Sequence, residues 1–396
     1  MATRVWQGDA AAVAQSGSVD ITTGHASGVY TLTVHDEAGN TAVVNDTSTS
    51  ATDTVIAAQL ATDWNNSGSA VAQRVTAVVD STDTSKIILT ADTAGVPFTI
   101  VSSVAGGGAF GSYTAILANS GPNDWNTAEN WSGGAVPVDN DHVIIPAGKP
   151  SILYGLGQST VELDSFKVLE GYSNTIGGTD SAYLRFTLGS NNPFEYQSTG
   201  KGWIDLGASA DSQPIIFDTA SPTTGLYGLS LKGTAMTYVN VVGGNVGIGT
   251  EGDDTTTEAS NISTYSSTAN VTIGASVTDV DGNPIDSLTM HGGTVTSLGA
   301  DIAAVTINSG TLNLKETVNV AGAFTMHKGT VNHEGAGTIA ALTMNGGTYD
   351  TTKTPIAKTL TTVKINAGTL KIDHDKVTLT NWSDADDKAS ITVKKI

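Results

Sequence analysis

Several groups of residues in this chain have the types and spacing that chemistry needs. His291 and His327 occupy the same place in two copies of an eight-residue phrase, and a histidine pair can begin a metal site. Asp279, Asp281 and Asn283 alternate around Gly282, the spacing of part of a calcium loop. Asp205, Asp211 and Asp218 lie in the middle of the chain. Two carboxylates brought within roughly 5–9.5 Å would support glycoside hydrolysis. Trp125 and Trp131 share one loop rich in Gly and Asn and could form a sugar platform. Gly247-Ile-Gly-Thr-Glu-Gly252 has the outline of a dinucleotide fingerprint, but no helical pattern follows it. Ser/His/Asp triads and zinc motifs find no local support, and cysteine is absent, so disulfides and thiolate ligands are excluded.

The elements that must position these residues are set by a repeat. Leu288-Thr-Met-His-Gly-Gly-Thr-Val is followed by versions starting at Val305, Phe324, Leu342 and Val363, which are 17, 19, 18 and 21 residues apart. Within each phrase the apolar residues alternate, as in Leu288 and Met290 or Val305 and Ile307, and period two marks a strand. The Gly-Thr step turns the chain and a second short apolar run follows. A unit of about 18 residues with no room for a helix cannot bury a face alone, so it must stack on its neighbours as a parallel β-helix or solenoid.

Stacking puts His291, Asn308, His327, Asn345 and Asn366 in one column, where their side chains can bond from rung to rung. His291 and His327 are then two rungs apart, about 9–10 Å at the usual strand spacing. Metal–imidazole bonds are near 2 Å, so a shared ion does not fit and the column reads as a structural ladder. Counted from each repeat glycine, Asp301, Glu316, Glu334, Asp350 and Asp373 fall at unequal offsets. Glu334 and Asp373 share an offset but lie two rungs apart, so no catalytic pair emerges. Asp205, Asp211 and Asp218 are the remaining enzyme candidates. The Asp279–Asp286 loop lacks the glutamate that a calcium loop of this type needs, because Met290 stands there, and Asp-Gly-Asn-Pro reads foremost as a turn. His25, His35, His142, His333 and His374 are scattered and read as surface or packed residues.

Lys+Arg is 18 against Asp+Glu 38, a net charge of −20, which argues against nucleic acid as a partner. The C-terminal stretch is the exception. Lys353, Lys358, Lys364, Lys371, Lys376, Lys388, Lys394 and Lys395 crowd it. They read as solvated lysines that discourage edge pairing, with docking to an acidic surface as the alternative. No apolar run is long enough to span a membrane. The opening Met1–Ala10 has no basic start followed by an apolar core, so no Sec signal is expected.

The domain reading has four parts. Residues 1–17 hold a strand that joins the solenoid, with Trp6 at its end. Residues 18–118 form an inserted α+β module in the order ββαβββ. Its hairpin is Val29–Val34 with Thr41–Val44, its helix is capped by Asp53, and its last three strands are Arg74–Asp80, Lys86–Ala91 and Pro97–Val104. Residues 119–287 are irregular coils, with Trp125 and Trp131 read as a lid on the open core end. Residues 288–396 are the regular repeats and a C-terminal cap. The fold class is mainly β.

Arg4-Val-Trp-Gln-Gly8, followed by Asp124-Trp-Asn-Thr-Ala-Glu-Asn-Trp-Ser-Gly-Gly-Ala-Val-Pro137, resembles the opening of phage and prophage virion proteins built on a β-helix. In those proteins the first Trp strand runs almost directly into the Asn-Trp-Ser-Gly-Gly loop, which makes 18–118 an insertion. Leu89-Thr-Ala-Asp-Thr-Ala-Gly-Val-Pro-Phe-Thr-Ile100 is similar to small modules of phage tail and surface proteins. The resemblance implies a non-enzymatic structural protein on the outside of a bacteriophage particle, made in the host cytoplasm. Capsid decoration, cement or spike is favoured, with the major capsid protein as partner, and a homotrimer is expected from architecture alone. The alternatives are a tail-fibre receptor-binding protein or polysaccharide depolymerase, with a polysaccharide receptor, and a bacterial surface adhesin. No catalytic residue, cofactor site or metal site is assigned, and neither nucleic acid nor membrane is expected as a partner.

Overall fold

The computed structural model describes the chain apart from residues 37–38, 179–181, 190–192, 210–213, 219–224, 234–237, 251–256, 280, 384–388 and 395–396. Among the described residues, one array of 22 strands with parallel pairing between neighbours forms a β-solenoid. Each coil supplies two strands that stack in two ladders. The first ladder includes Thr3–Val5, His142–Ile145, Ser165–Val168, Ile285–Met290, Ile302–Ile307 and Val320–Met326. The second includes Gly157–Leu163, Leu184–Leu188, Thr294–Ser297, Thr311–Leu314 and Thr330–His333. The long strands Thr338–Asp350 and Lys358–Asp373 contribute to both ladders.

The register is the one the repeat requires. Leu288, Val305, Phe324, Leu342 and Val363 pair in succession, and so do Met290, Ile307, Met326, Met344 and Ile365. Alternation places these side chains inside, all at or below 1% exposure. Burying one such aliphatic side chain fully contributes roughly 1.5–3 kcal/mol. A slip of one residue would turn the whole set outward, so the register is strongly specified.

Thr3–Val5 belongs to the solenoid, pairing with His142–Ile145 from Thr3↔His142 to Val5↔Ile144. Buried Asp141 fastens it there, accepting from the Ala2 amide at 2.6 Å and from Arg4 Nε at 3.0 Å. Burial alone would raise the carboxyl, but these donors outweigh it and hold Asp141 below the usual carboxylate range.

Between these strands, Ser16 to Leu117 makes its own sheets around a second core that includes Val19, Leu32, Ile56, Trp64 and Leu89. One sheet runs Val75–Val79, Lys86–Ala91, Ser16–Thr23, Ala109–Phe110, with Thr114–Leu117 also paired to Ser16–Thr23. The other runs Thr41–Thr47, Val29–His35, Thr99–Ala105. The helix Asp53–Asn65 buries Ile56, Ala57, Leu60, Ala61 and Trp64, one face at 3–4 residue spacing. Trp64 Nε1 donates to the Val75 carbonyl at 2.6 Å, fixing the helix to the sheet.

Two details differ from the sequence expectation. Thr52 takes the cap position and Asp53 is the first helical residue, where its charge still favours the positive helix end. The order ββαβββ omits Ser16–Thr23, Ala109–Phe110 and Thr114–Leu117. Ser16–Thr23 offers only Val19 and Ile21 as alternating large apolar residues, too short a pattern to stand out. Among the described residues, no helix is long and apolar enough to cross a membrane.

Candidate functional site

The ladder begins with the repeat glycines. Gly293, Gly310, Gly329, Gly347 and Gly368 all have left-handed φ, between +80° and +103°. A Cβ on Gly310, Gly329, Gly347 or Gly368 would stand 2.4–2.6 Å from the carbonyl oxygen of the glycine one rung before. Only glycine supplies both that backbone and that clearance. The turn leaves the residue two positions earlier at the surface, which builds the Asn/His column.

Asn308 Nδ2 lies 3.2 Å from His291 Nδ1, and Asn345 Nδ2 lies 3.5 Å from His327 Nδ1. Asn366 Nδ2 donates to Asn345 Oδ1 at 2.7 Å. Tyr265 extends the column by one coil, its ring stacked on His291 at 5.2 Å between centroids. Each histidine thus faces an asparagine amide of the next rung rather than another histidine. Among the described residues, no group of three or more His, Asp or Glu side chains is arranged to hold a metal.

A second outward column runs Thr296, Asn313, Asn332, Asp350, Lys371. Asn332 donates to Asn313 at 2.8 Å and Asn313 to Thr296 at 3.3 Å. The column then turns ionic. Lys371 and Lys353 approach Asp350 Oδ2 at 3.5 and 3.9 Å. Burial tends to raise the Asp350 carboxyl, but its Thr352 bonds and the two lysines hold it below the usual range.

The lysine-rich stretch therefore divides. Lys353 and Lys371 face Asp350, while Lys364 is exposed. Lys358 is not a solvated edge lysine at all; it is 3% exposed. Its Nζ donates to the Ile356 carbonyl at 2.8 Å and to Thr354 Oγ1 at 3.3 Å. The side chains of Lys388, Lys394 and Lys395 lie outside what the structure describes.

Lys358 belongs to a polar cluster inside the last coils. His333 is fully buried, with its Nδ1 2.9 Å from Tyr349 Oη. Its Nε2 completes no hydrogen bond, although the Ala336 carbonyl lies near enough to favour the protonated ring. Burial, then the Lys358 charge, push the ring down to about 4, so it is neutral near pH 7. Burial lowers Lys358 as well, while Asp373 and Glu334 pull the other way. Asp373 is fully buried, and its Oδ2 has no hydrogen-bond partner among the described residues. Glu334 pairs with Lys315 at 2.6 Å. Offsets among the acids alone do not reveal this cluster, because Lys358 and His333 complete it. The signal lay in alternation: Lys358 shares an inward face with Leu360, and His333 pairs onward from inward Leu314.

The other candidates resolve as follows. Asp205 is buried and pairs with Arg185 Nε of the neighbouring rung at 3.4 Å. Asp211, and the side chain of Asp218, lie outside what the structure describes. Asp279 Oδ1 accepts from the Asp281 and Asn283 amides at 2.9 and 2.7 Å, and Asn283 Nδ2 reaches Oδ2 at 3.3 Å. That is the hydrogen bonding of a turn. Gly247 sits within the strand Tyr238–Ile248, and Glu251 and Gly252 lie outside the described residues. His142 meets Ser165 at 2.9 Å, and His374 meets its neighbour Asp375 at 3.1 Å.

Trp125 and Trp131 are at most 1% exposed and cannot serve as a sugar platform. With Trp6 they form edge-on pairs at 5.0 and 4.5 Å between centroids, within the solenoid core. Trp131 Nε1 donates to the Trp125 carbonyl at 2.7 Å and Trp6 Nε1 to the Pro150 carbonyl at 3.0 Å. Buried Asn130 ties the same loop together, accepting from the Ala10 amide and donating to the Gly121 and Asp124 carbonyls. Where the module meets an early coil, His35, Asp36, Pro97, Phe98, Thr99 and Arg185 line an open cleft of about 420 Å³. No protein-family model and no curated protein matches the chain.

Proposed function

We propose that this chain is a non-enzymatic structural protein on the exterior of a bacteriophage particle, a decoration, cement or spike on the capsid. The observation that carries the reading is the rung-to-rung pairing of the repeated phrase from Leu288 to Val363, kept across local irregularities in the strands, with polar columns bonded outside it. The regular coils from Leu288 onward are held by their neighbours through the core, the glycine turns and these columns. Such a body suits rigid display rather than a moving active site. The separately cored module between Thr3–Val5 and His142–Ile145 is carried beside the first coils. The phage setting rests on the resemblance of the Arg4–Gly8 and Asp124–Pro137 segments. The major capsid protein is the partner this reading names, with three copies associating through a lateral face.

The test is co-sedimentation of the purified chain with particles that lack it, alongside a reducing-sugar assay on host capsule. Saturable binding at a fixed copy number per particle, without sugar release, is expected. Sugar turnover would replace the reading with a depolymerase, and binding to cells but not to capsids would replace it with a fibre or adhesin.

A further inference from the structure

We propose that Lys358 and Asp373 form an intramolecular isopeptide bond that locks the last coils of the solenoid. The two groups share one strand, Lys358–Asp373, and stand at its opposite ends, so a bond between their side chains would close a full coil. Both are enclosed, Lys358 at 3% exposure and Asp373 at 0%. Among the described residues, neither has an ion-pair partner within 4.0 Å, and the opposite charges acting on Lys358 are Asp373 first and Glu334 second. Two buried opposite charges left apart, one with an orphaned Oδ2, are an expensive arrangement for a purely structural role. An amide would remove both charges and the orphaned oxygen together.

The surroundings suit the reaction. Enclosure favours the neutral amine, the nucleophilic form of a lysine. Asp373 is held in place through its amide, which donates to Thr351 Oγ1 at 3.4 Å, and through Oδ1, which accepts from the Asp375 amide at 3.2 Å. Lys358 Nζ leaves the Ile356 carbonyl and swings on its flexible stem to Cγ of the Asp373 carboxylic acid. The Nζ–Cγ bond forms and the Cγ–OH bond breaks. The hydroxyl departs with one proton from the nitrogen, as a single water. His333, neutral and with Nε2 free of a hydrogen bond, is the neighbour able to carry that proton. No oxidant, metal or co-substrate is required.

Intact-mass spectrometry of the full denatured chain decides it. The expected mass is that of the sequence less one water, and trypsin should fail to cut after Lys358, yielding one branched peptide that contains Asp373. Lys358→Met and Asp373→Ala should each restore the full sequence mass, a readout that does not depend on the variants folding. A wild-type chain at the full sequence mass, with ordinary cleavage after Lys358, overturns the proposal. A water lost elsewhere, with Lys358 still cleaved, overturns it equally.

Discussion

The carbonyl oxygen of Gly310 lies 2.4 Å from where a Cβ on Gly329 would stand. That single approach, repeated along the column, explains why one residue type recurs at the turn. The backbone of one coil is the floor for the next. Gly329→Ala should destabilise the chain by about 2–4 kcal/mol, left-handed strain plus the cost of overpacking. Gly282 is the control. Its φ is +76°, but nothing lies within 4 Å of its would-be Cβ. Gly282→Ala should cost only the backbone strain, about 1–2 kcal/mol. Urea midpoints of the two variants check the difference, and equal losses would count against close stacking as the cause.

Asn130 makes a second prediction. It is fully buried and joins the Ala10 amide to the Gly121 and Asp124 carbonyls. Asn130→Ala strands all three groups, at about 1–3 kcal/mol for each one left unsatisfied. A loss of 3 kcal/mol or more is expected, with a shift in tryptophan emission as the Trp6, Trp125 and Trp131 cluster loosens. An unchanged emission spectrum and a loss under 1 kcal/mol would mean that the loop is held by other contacts.

His333 gives the chain a pH dependence of definite sign. Its folded value, about 4, lies below the ordinary 6.5. The unfolded chain therefore binds the proton more readily. The contribution is fully present above about pH 6.5 and is lost as pH falls toward about 4. The span is worth about 3 kcal/mol. His333→Leu matches its neighbour Leu314 in the column and should remove that portion of the slope. Carboxylates titrate in both proteins, so the comparison is the difference between wild type and variant at pH 7 and pH 4.5. Parallel curves would contradict the assignment.

Much of the solenoid is legible in the residues. Leu288, Val305, Phe324, Leu342 and Val363 align by eye and pair in the structure, because a small repeat with one left-handed glycine leaves a single way to stack. The Asn/His ladder follows from the same alignment. Lys358 is harder to place, because the 21-residue step into the fifth phrase is two to four residues longer than the others and lengthens the loop Thr351–Ala357 before it. The lysine then falls on the inward face of a strand whose start is obscured by that loop. Ser16–Thr23 and Thr114–Leu117 are hidden for a different reason. They pair with partners far along the chain, and local alternation carries little of that information.

Gold labelling of intact phage particles with antibody against residues 18–118 tests the proposed exterior role on the particle itself. The proposed role predicts label on the outer face of every capsid, at a constant number per particle. Particles free of label, with the chain found on the bacterial surface instead, would contradict it.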